Sequence, residues 1–261
     1  MMPMSVRLGV AALLLAAAFV AAMAAVRGRE SRYYHLLSAA ISPVSQHFTR
    51  PAPAPLDLPF REDFASGSGT TWHRFQASLV DVALDSGDLS LTPTRESVWW
   101  NNTRGPMLYR TIAGDASVIV SVRTRKRSHK ASPPDGEWQF GGVMLRDARG
   151  DAWMSRENYV FNVVGFRGKR LQVETKSTKN GTSQVDAWDW PAGDGQLRIE
   201  RTGHDFNLYA RHQQSEQWQR LISYRRPDLP EVLQVGLIIY AYSEGRGRHD
   251  MQVFFDEFSV H

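Results

Sequence analysis

From residue 60 onward the chain is written in short runs of alternating apolar and polar residues. DASVIVSVR (115–123), WQFGGVMLR (138–146), NYVFNVVGF (158–166) and KRLQVETK (169–176) are four of them. QLRIER (196–201), DFNLYAR (205–211), VLQVGLIIYAY (232–242) and MQVFFDEFSV (251–260) are four more. A side-chain period of two marks strands with one face buried. Turn residues separate the runs at 167–168, 179–181, 192–195 and 202–204. About a dozen short strands with regular turns predict an all-β, antiparallel two-sheet sandwich. No helical period competes with this, and no internal repeat or second domain is visible.

The N-terminal part reads differently. Residues 8–26, LGVAALLLAAAFVAAMAAV, are uncharged and lie between Arg7 and Arg27. About 20 apolar residues cross a bilayer. Residues 1–29 are therefore expected to be a membrane anchor or a signal segment, with Ala22-Met23-Ala24 as a conceivable cleavage site. The apolar run exceeds the usual signal-peptide core and favours the anchor. Residues 30–57 are expected to form a juxtamembrane helix and a proline-rich stem. Tyr33, Tyr34, Leu36, Leu37 and Ile41 could share an apolar face there, and RPAPAPLDLP (50–59) cannot continue a helix. The expected domain is residues 58–261, held at the outer side of an inner membrane, or secreted if the segment is cleaved.

Charge changes the picture once it is divided. Residues 1–56 carry five arginines and Glu30 as the one acid. The whole chain has 31 basic and 27 acidic side chains, which leaves 26 of each for residues 57–261. A neutral domain lacks the broad basic footprint of a nucleic-acid binder. RTRKRSHK (123–130) is a local exception, expected to be a solvated loop or else a patch for an anionic surface. There is no cysteine, which excludes disulfides and thiolate chemistry.

The order of several motifs resembles a family. FREDF (60–64) comes first, then Trp72, WWNNTRGPMLYRTIAGDASVIVSV (99–122) and FGGVMLRD (140–147). WDWP (188–191), LRIERTGHDFNLY (197–209), LQVGL (233–237) and FFDEFSV (254–260) follow. The sequence is similar to the concanavalin A-like, laminin-G-like jelly-roll domains, in particular a bacterial family of unknown function. Relatives commonly carry a Ser-x-Asp-Gly turn after the FNLY strand, where this chain reads ARHQQSEQW (210–218). The resemblance implies a jelly roll with one concave sheet, and pairing of the first and last strands. That pairing would bring Asp63 near Asp256, where a structural calcium could bind. No other cofactor is implied.

Candidate chemistry is aromatic rather than acidic. The spaced carboxylate motif of jelly-roll glucanases is absent, and Asp256 and Glu257 are adjacent and so point to opposite faces. No catalytic residue is assigned. The eight tryptophans suit sugar rings, whose apolar faces stack on indole while Asn, Asp and Arg bind the hydroxyls. SVWWNNTR offers Trp99, Trp100, Asn101, Asn102 and Arg104. WQFGGVMLR offers Trp138 and Arg146 on one face, with Gln139, Gly141, Val143 and Leu145 expected on the core face. DAWDWP adds Trp188 and Trp190. Read as a strand, SVWW sends one tryptophan between the sheets and leaves the other as a binding platform. The expected function is a membrane-anchored, non-catalytic module for a glycan. The alternatives are a glycoside-active enzyme with a carboxylate pair assembled across strands, or an envelope protein scaffold.

Overall fold

A computed structural model describes residues 53–65, 72–85, 87–151, 156–212, 215, 217–243 and 250–261. The apolar segment 8–26 and the stem up to residue 52 lie outside them, as does Trp153. Among the described residues no helix is long and apolar enough to cross a membrane.

The described chain is all-β. Its strands are β1 (Phe60–Glu62), β2 (His73–Phe75), β3 (Val80–Asp85), β4 (Asp88–Pro93) and β5 (Met107–Ala113). They continue with β6 (Ala116–Lys126), β7 (Trp138–Arg146), β8 (Tyr159–Arg167), β9 (Arg170–Lys179) and β10 (Thr182–Asp189). The last are β11 (Asp194–Thr202), β12 (Asp205–Arg211), β13 (Gln219–Arg225), β14 (Val232–Tyr242) and β15 (Met251–Val260). All eight runs singled out in the sequence are strands. The Lys-Asn-Gly stretch is a tight hairpin turn between β9 and β10, with Asn180 and Gly181 both at positive φ.

Two antiparallel sheets stack face to face. Sheet A runs β13-β12-β11-β6-β15-β4-β3, with β1 also paired to β15. Sheet B runs β10-β9-β8-β7-β14-β5-β2. The first and last strands do pair, Phe60 opposite Val260. The main core lies between the sheets and includes Val118, Val120 and Val122 of β6 and Leu233, Val235, Leu237 and Ile239 of β14. Val143 and Leu145 of β7 belong to it, as the alternation predicts.

Sheet B is apolar on its outer face as well. Met107, Phe140, Met144, Tyr159, Phe161, Val163, Ile238 and Tyr240 form a second buried cluster there, together with Trp99. The segment 94–106 covers it like a strap. Ser97 bridges to Ala241 at the end of β14, and further on Asn101 reaches Ser183 of β10. The strap is irregular, not a strand, so the period-two reading of SVWW does not apply. Trp99 is fully buried, but on the outside of sheet B instead of between the sheets. The physical reason is that sheet B has two apolar faces, and the strap is what covers the second.

Three positions of sheet B are glycines for a steric reason. A Cβ on Gly165 would fall 2.1 Å from the Gln139 carbonyl oxygen, and one on Gly236 would fall 1.9 Å from that of Leu108. A Cβ on Gly142 would likewise fall 2.1 Å from the Asn162 carbonyl oxygen. In each case the side chain would run along the sheet into the neighbouring backbone, so the strands approach this closely only without one.

The basic run 123–130 is not a loop throughout, because Arg123 to Lys126 belong to β6. Arg123 pairs with Asp88, Arg125 with Asp194 at 3.2 Å, and Lys126 with Asp135 at 2.9 Å. Three of its five cations are thus met by carboxylates from other segments.

Candidate functional site

The outer face of sheet B gathers most of the sequence-predicted residues. At its centre Arg146 and Glu157 are both completely buried. Arg146 donates from Nε to Glu157 Oε2 and from Nη2 to Oε1, both at 2.8 Å, and from Nη1 to Gln234 Oε1 at 2.7 Å. Arg104 of the strap adds its Nε at 2.5 Å from Glu157 Oε1 and donates to the Gly150 carbonyl. Arg146 also lies 4.4 Å from the Phe75 ring centroid and 5.8 Å from that of Trp99. This group of charges, rings and amides holds the strap to the sheet.

Trp99 is the hydrophobic plug of the strap. Its ring stacks on Phe75 at 6.0 Å and meets the Tyr159 ring edge-on at 5.6 Å. Its Nε1 donates to the Pro106 carbonyl at 3.3 Å. The strap then turns sharply, with Asn101 at φ 53° and backbone bonds between Trp100 and Thr103. That turn separates the two tryptophans. Trp100 is 45% exposed while Trp99 is sealed.

Asn101 and Asn102 are latches. Asn101 Oδ1 accepts from the Ser183 amide, and the Asn101 amide donates to Ser183 Oγ at 2.7 Å. Asn102 Oδ1 accepts from the Glu157 amide at 3.1 Å. Both fix the Trp100 turn to the β9–β10 hairpin and to the start of β8.

Beneath Trp100 lies a polar pair that sequence reasoning did not single out, Glu174 and Lys176 on the outer face of β9. Lys176 Nζ donates to the Trp99 carbonyl at 2.6 Å. It sits 4.9 Å from the Trp100 ring, 4.8 Å from Phe161 and 5.4 Å from Tyr240. Tyr240 donates its hydroxyl to Glu174 at 2.6 Å. Burial pushes the Lys176 ammonium down to about 8, against the pull of Glu174. Burial likewise raises the Glu174 carboxyl, with Tyr240, Lys176 and Arg167 opposing it, and holds Tyr240 well above its ordinary value. Two residues apart on an alternating strand is the signal that could have found the pair, since both then face one way.

The lysine makes a pH prediction. An unfolded chain binds its lysine proton up to about pH 10.5, whereas the folded chain releases it near 8. Between these values the unfolded state holds more protons, so stability rises with pH. Above about pH 10 tyrosine ionisation in the unfolded chain opposes this, because Tyr240 stays protonated when folded. Urea unfolding at pH 7.5, 8.5 and 9.5 should show the native protein gaining stability relative to Lys176→Met. Parallel curves would mean that Lys176 keeps an ordinary titration.

The remaining candidates lie elsewhere. Trp138 is at the margin of the second cluster, 5.6 Å from Tyr242 and 5.7 Å from the Arg167 guanidinium. Trp188 stands opposite Val173, a core residue, so it takes the inner face of edge strand β10. Trp190 packs on the main core and donates to the Asp194 carbonyl at 2.9 Å. The structure therefore does not bring Trp188 and Trp190 to the Trp100 face. Asp63 accepts from the Ala65 amide and Asp256 from the Glu257 amide. Among the described residues no group of three or more His, Asp or Glu converges as metal ligands would.

A cleft of about 400 Å³ opens beside the Asn180 turn, between the short 3-10 turn at Ala148–Asp151 and the loop holding Asp228. Its wall carries the side chains of Asp147, Arg149, Arg156, Asn158, Asn180 and Asp228. None of these is among the ligand contacts expected from the sequence.

The fold is an antiparallel two-sheet jelly-roll sandwich. No known protein-family model matches the chain, and no curated protein matches it in sequence. Solved structures do match in fold. A functionally unknown protein from Saccharomyces cerevisiae is 16% identical over 74% of this chain and 97% of its own, with a TM-score of 0.57. A GH43 protein of the Bacteroides ovatus xyloglucan PUL is 16% identical, with a TM-score of 0.58. A xylan β-1,4-xylosidase from Bacillus halodurans is 12% identical, with a TM-score of 0.52. The match spans 82% and 81% of this chain but only 41% of each of the last two proteins. At these identities the likeness is one of fold.

Proposed function

We propose that residues 58–261 form a non-catalytic glycan-binding module, carried on the outer side of an inner membrane by an anchor at 8–26. One observation carries the reading: Trp100 is an exposed indole held rigidly over a satisfied polar floor. The Asn101 latch and the Lys176 ammonium fix its position, and Val185, 39% exposed, stands opposite Lys176 across the β9–β10 ladder. Such an aromatic platform with polar groups at its rim suits a pyranose ring. The fold shared with glycan-active enzymes supports the same class of ligand.

An enzymatic reading would need carboxylates within reach of a substrate. Glu157 is 0% and Glu174 4% exposed, and both are occupied by Arg146 and Tyr240. A glycosidase pair must instead flank an open cleft with its carboxylates free, whereas Asp147 and Asp228 of the cleft are each engaged by an arginine, Arg149 and Arg226. Binding is therefore the better reading.

The test uses the full-length chain in detergent on a glycan array, with and without calcium. A hit should weaken by about tenfold or more in Trp100→Ala, as for a central aromatic anchor. The variant should lose only about 1 kcal/mol of stability, as expected of a surface position. No glycan bound by the native protein, or an unchanged affinity in the variant, would overturn the platform. Loss of binding on chelation would add a calcium site at Asp63 and Asp256.

A further inference from the structure

We propose that the cleft beside the Asn180 turn takes the carboxylate of an acidic sugar, so that the module's ligand is a hexuronate-bearing glycan. This rests on the glycan reading and adds the ligand's charge to it.

The argument starts from which charges in the cleft are already spoken for. Asp147 is buried and receives Arg149 Nε at 3.0 and 2.9 Å as well as the Arg149 amide at 2.9 Å. Asp228 receives Arg226 Nε at 3.0 Å and Nη2 at 2.7 Å. Each carboxylate thus has its own guanidinium. Burial alone would raise the Asp228 carboxyl, yet the Arg226 hydrogen bond and charge first, then a backbone hydrogen bond and Lys179, hold it below the usual range.

Arg156 differs. It is exposed in the cleft wall, and the one hydrogen bond of its side chain among the described residues goes to the Asn180 carbonyl at the long distance of 3.4 Å. Asn158 braces the wall on both sides of it. Its Nδ2 donates to the Arg156 carbonyl at 3.1 Å, and its Oδ1 accepts from the Asn180 amide at 2.8 Å. A guanidinium fork on a backbone braced by Asn158 matches a planar carboxylate by two parallel hydrogen bonds.

The cleft and the Trp100 platform share a support. Asn102 binds the Glu157 amide, the Gly181 amide binds the Glu157 carbonyl, and Asn101 binds Ser183. The turn that carries Trp100 and the wall that carries Arg156 are therefore fastened to the same hairpin. On this inference an oligosaccharide that rests one ring on Trp100 extends along that hairpin towards Arg156.

The experiment is calorimetry of the full-length protein with tetragalacturonate and cellotetrauronate, each against its methyl ester and against a neutral cello-oligosaccharide. The esters keep the rings and remove the charge. One acid should bind about tenfold tighter than its ester, the scale of a partly exposed charge-assisted hydrogen bond. In Arg156→Gln that ratio should fall to about one, with an unchanged melting temperature showing an intact fold. Equal affinity for acid and ester, or a preference that survives the substitution, overturns the inference. If neutral oligosaccharides bind and the acids bind no better, this inference fails alone. If none binds, the glycan reading fails with it.

Discussion

Replacing Glu157 by alanine is expected to cost about 3–5 kcal/mol of unfolding free energy, the usual result of removing one partner from a buried ion pair. The carboxylate and Arg146 are both sealed from water, and Glu157 takes both of its bonds from that guanidinium at 2.8 Å. Without it, the buried Arg146 guanidinium loses both of its bonds to a carboxylate. Arg104 suffers less, since it is one quarter exposed and can turn to solvent. The double variant Arg146→Met with Glu157→Leu removes both charges at similar volume and should regain most of the loss. Urea unfolding followed by tryptophan fluorescence measures all three proteins. A single variant within 1 kcal/mol of the native protein would show that the pair is not the buried fastening described above.

Trp99→Ala is expected to be comparably severe, about 3–5 kcal/mol, because it removes a large side chain that cannot be replaced by water. The indole fills the space between Phe75, Tyr159 and the Arg146 guanidinium, with Gly105 so close that a Cβ there would lie 2.6 Å from Nε1. The loss should also loosen the strap, since the Trp99 carbonyl is the acceptor for Lys176. Calorimetric melting of Trp99→Ala and Trp100→Ala side by side separates the two neighbours. The first should fall by many degrees and the second by few. Equal shifts would mean that the strap does not divide them into plug and platform.

The fold was legible because strand alternation is local. β7 shows it directly: Val143 and Leu145 face the main core, and Phe140 and Met144 the other side, as a period of two requires. What could not be read was that the other side is also apolar and also covered. The strap is irregular, and its partners Ala241, Ser183 and Glu157 are distant in sequence. No short-range pattern announces such a cover. For the same reason the tryptophan expected between the sheets is not found there: Trp99, the buried one, packs on the outer side of sheet B, and Asn101 and Asn102 are held by Ser183 and Glu157. Trp188 and Trp190 could not be separated from the Trp100 face, because their side of the sheet depends on the register of β10 against β9. The cleft was invisible for a further reason: its wall comes from three loops that meet only in the folded chain.

The three glycines of sheet B carry a consequence for how such a module can change. Gly142, Gly165 and Gly236 let the main chain itself set the path of the sheet, with no side chain to adjust it. The ground on which Trp100 and Arg156 stand is thus specified separately from the residues that would touch a ligand. Exchanging those two positions alters affinity and preference while the underlying relief stays the same. A descendant could acquire a different sugar by a few surface replacements, whereas any residue larger than glycine at the three positions would alter the terrain for every ligand at once.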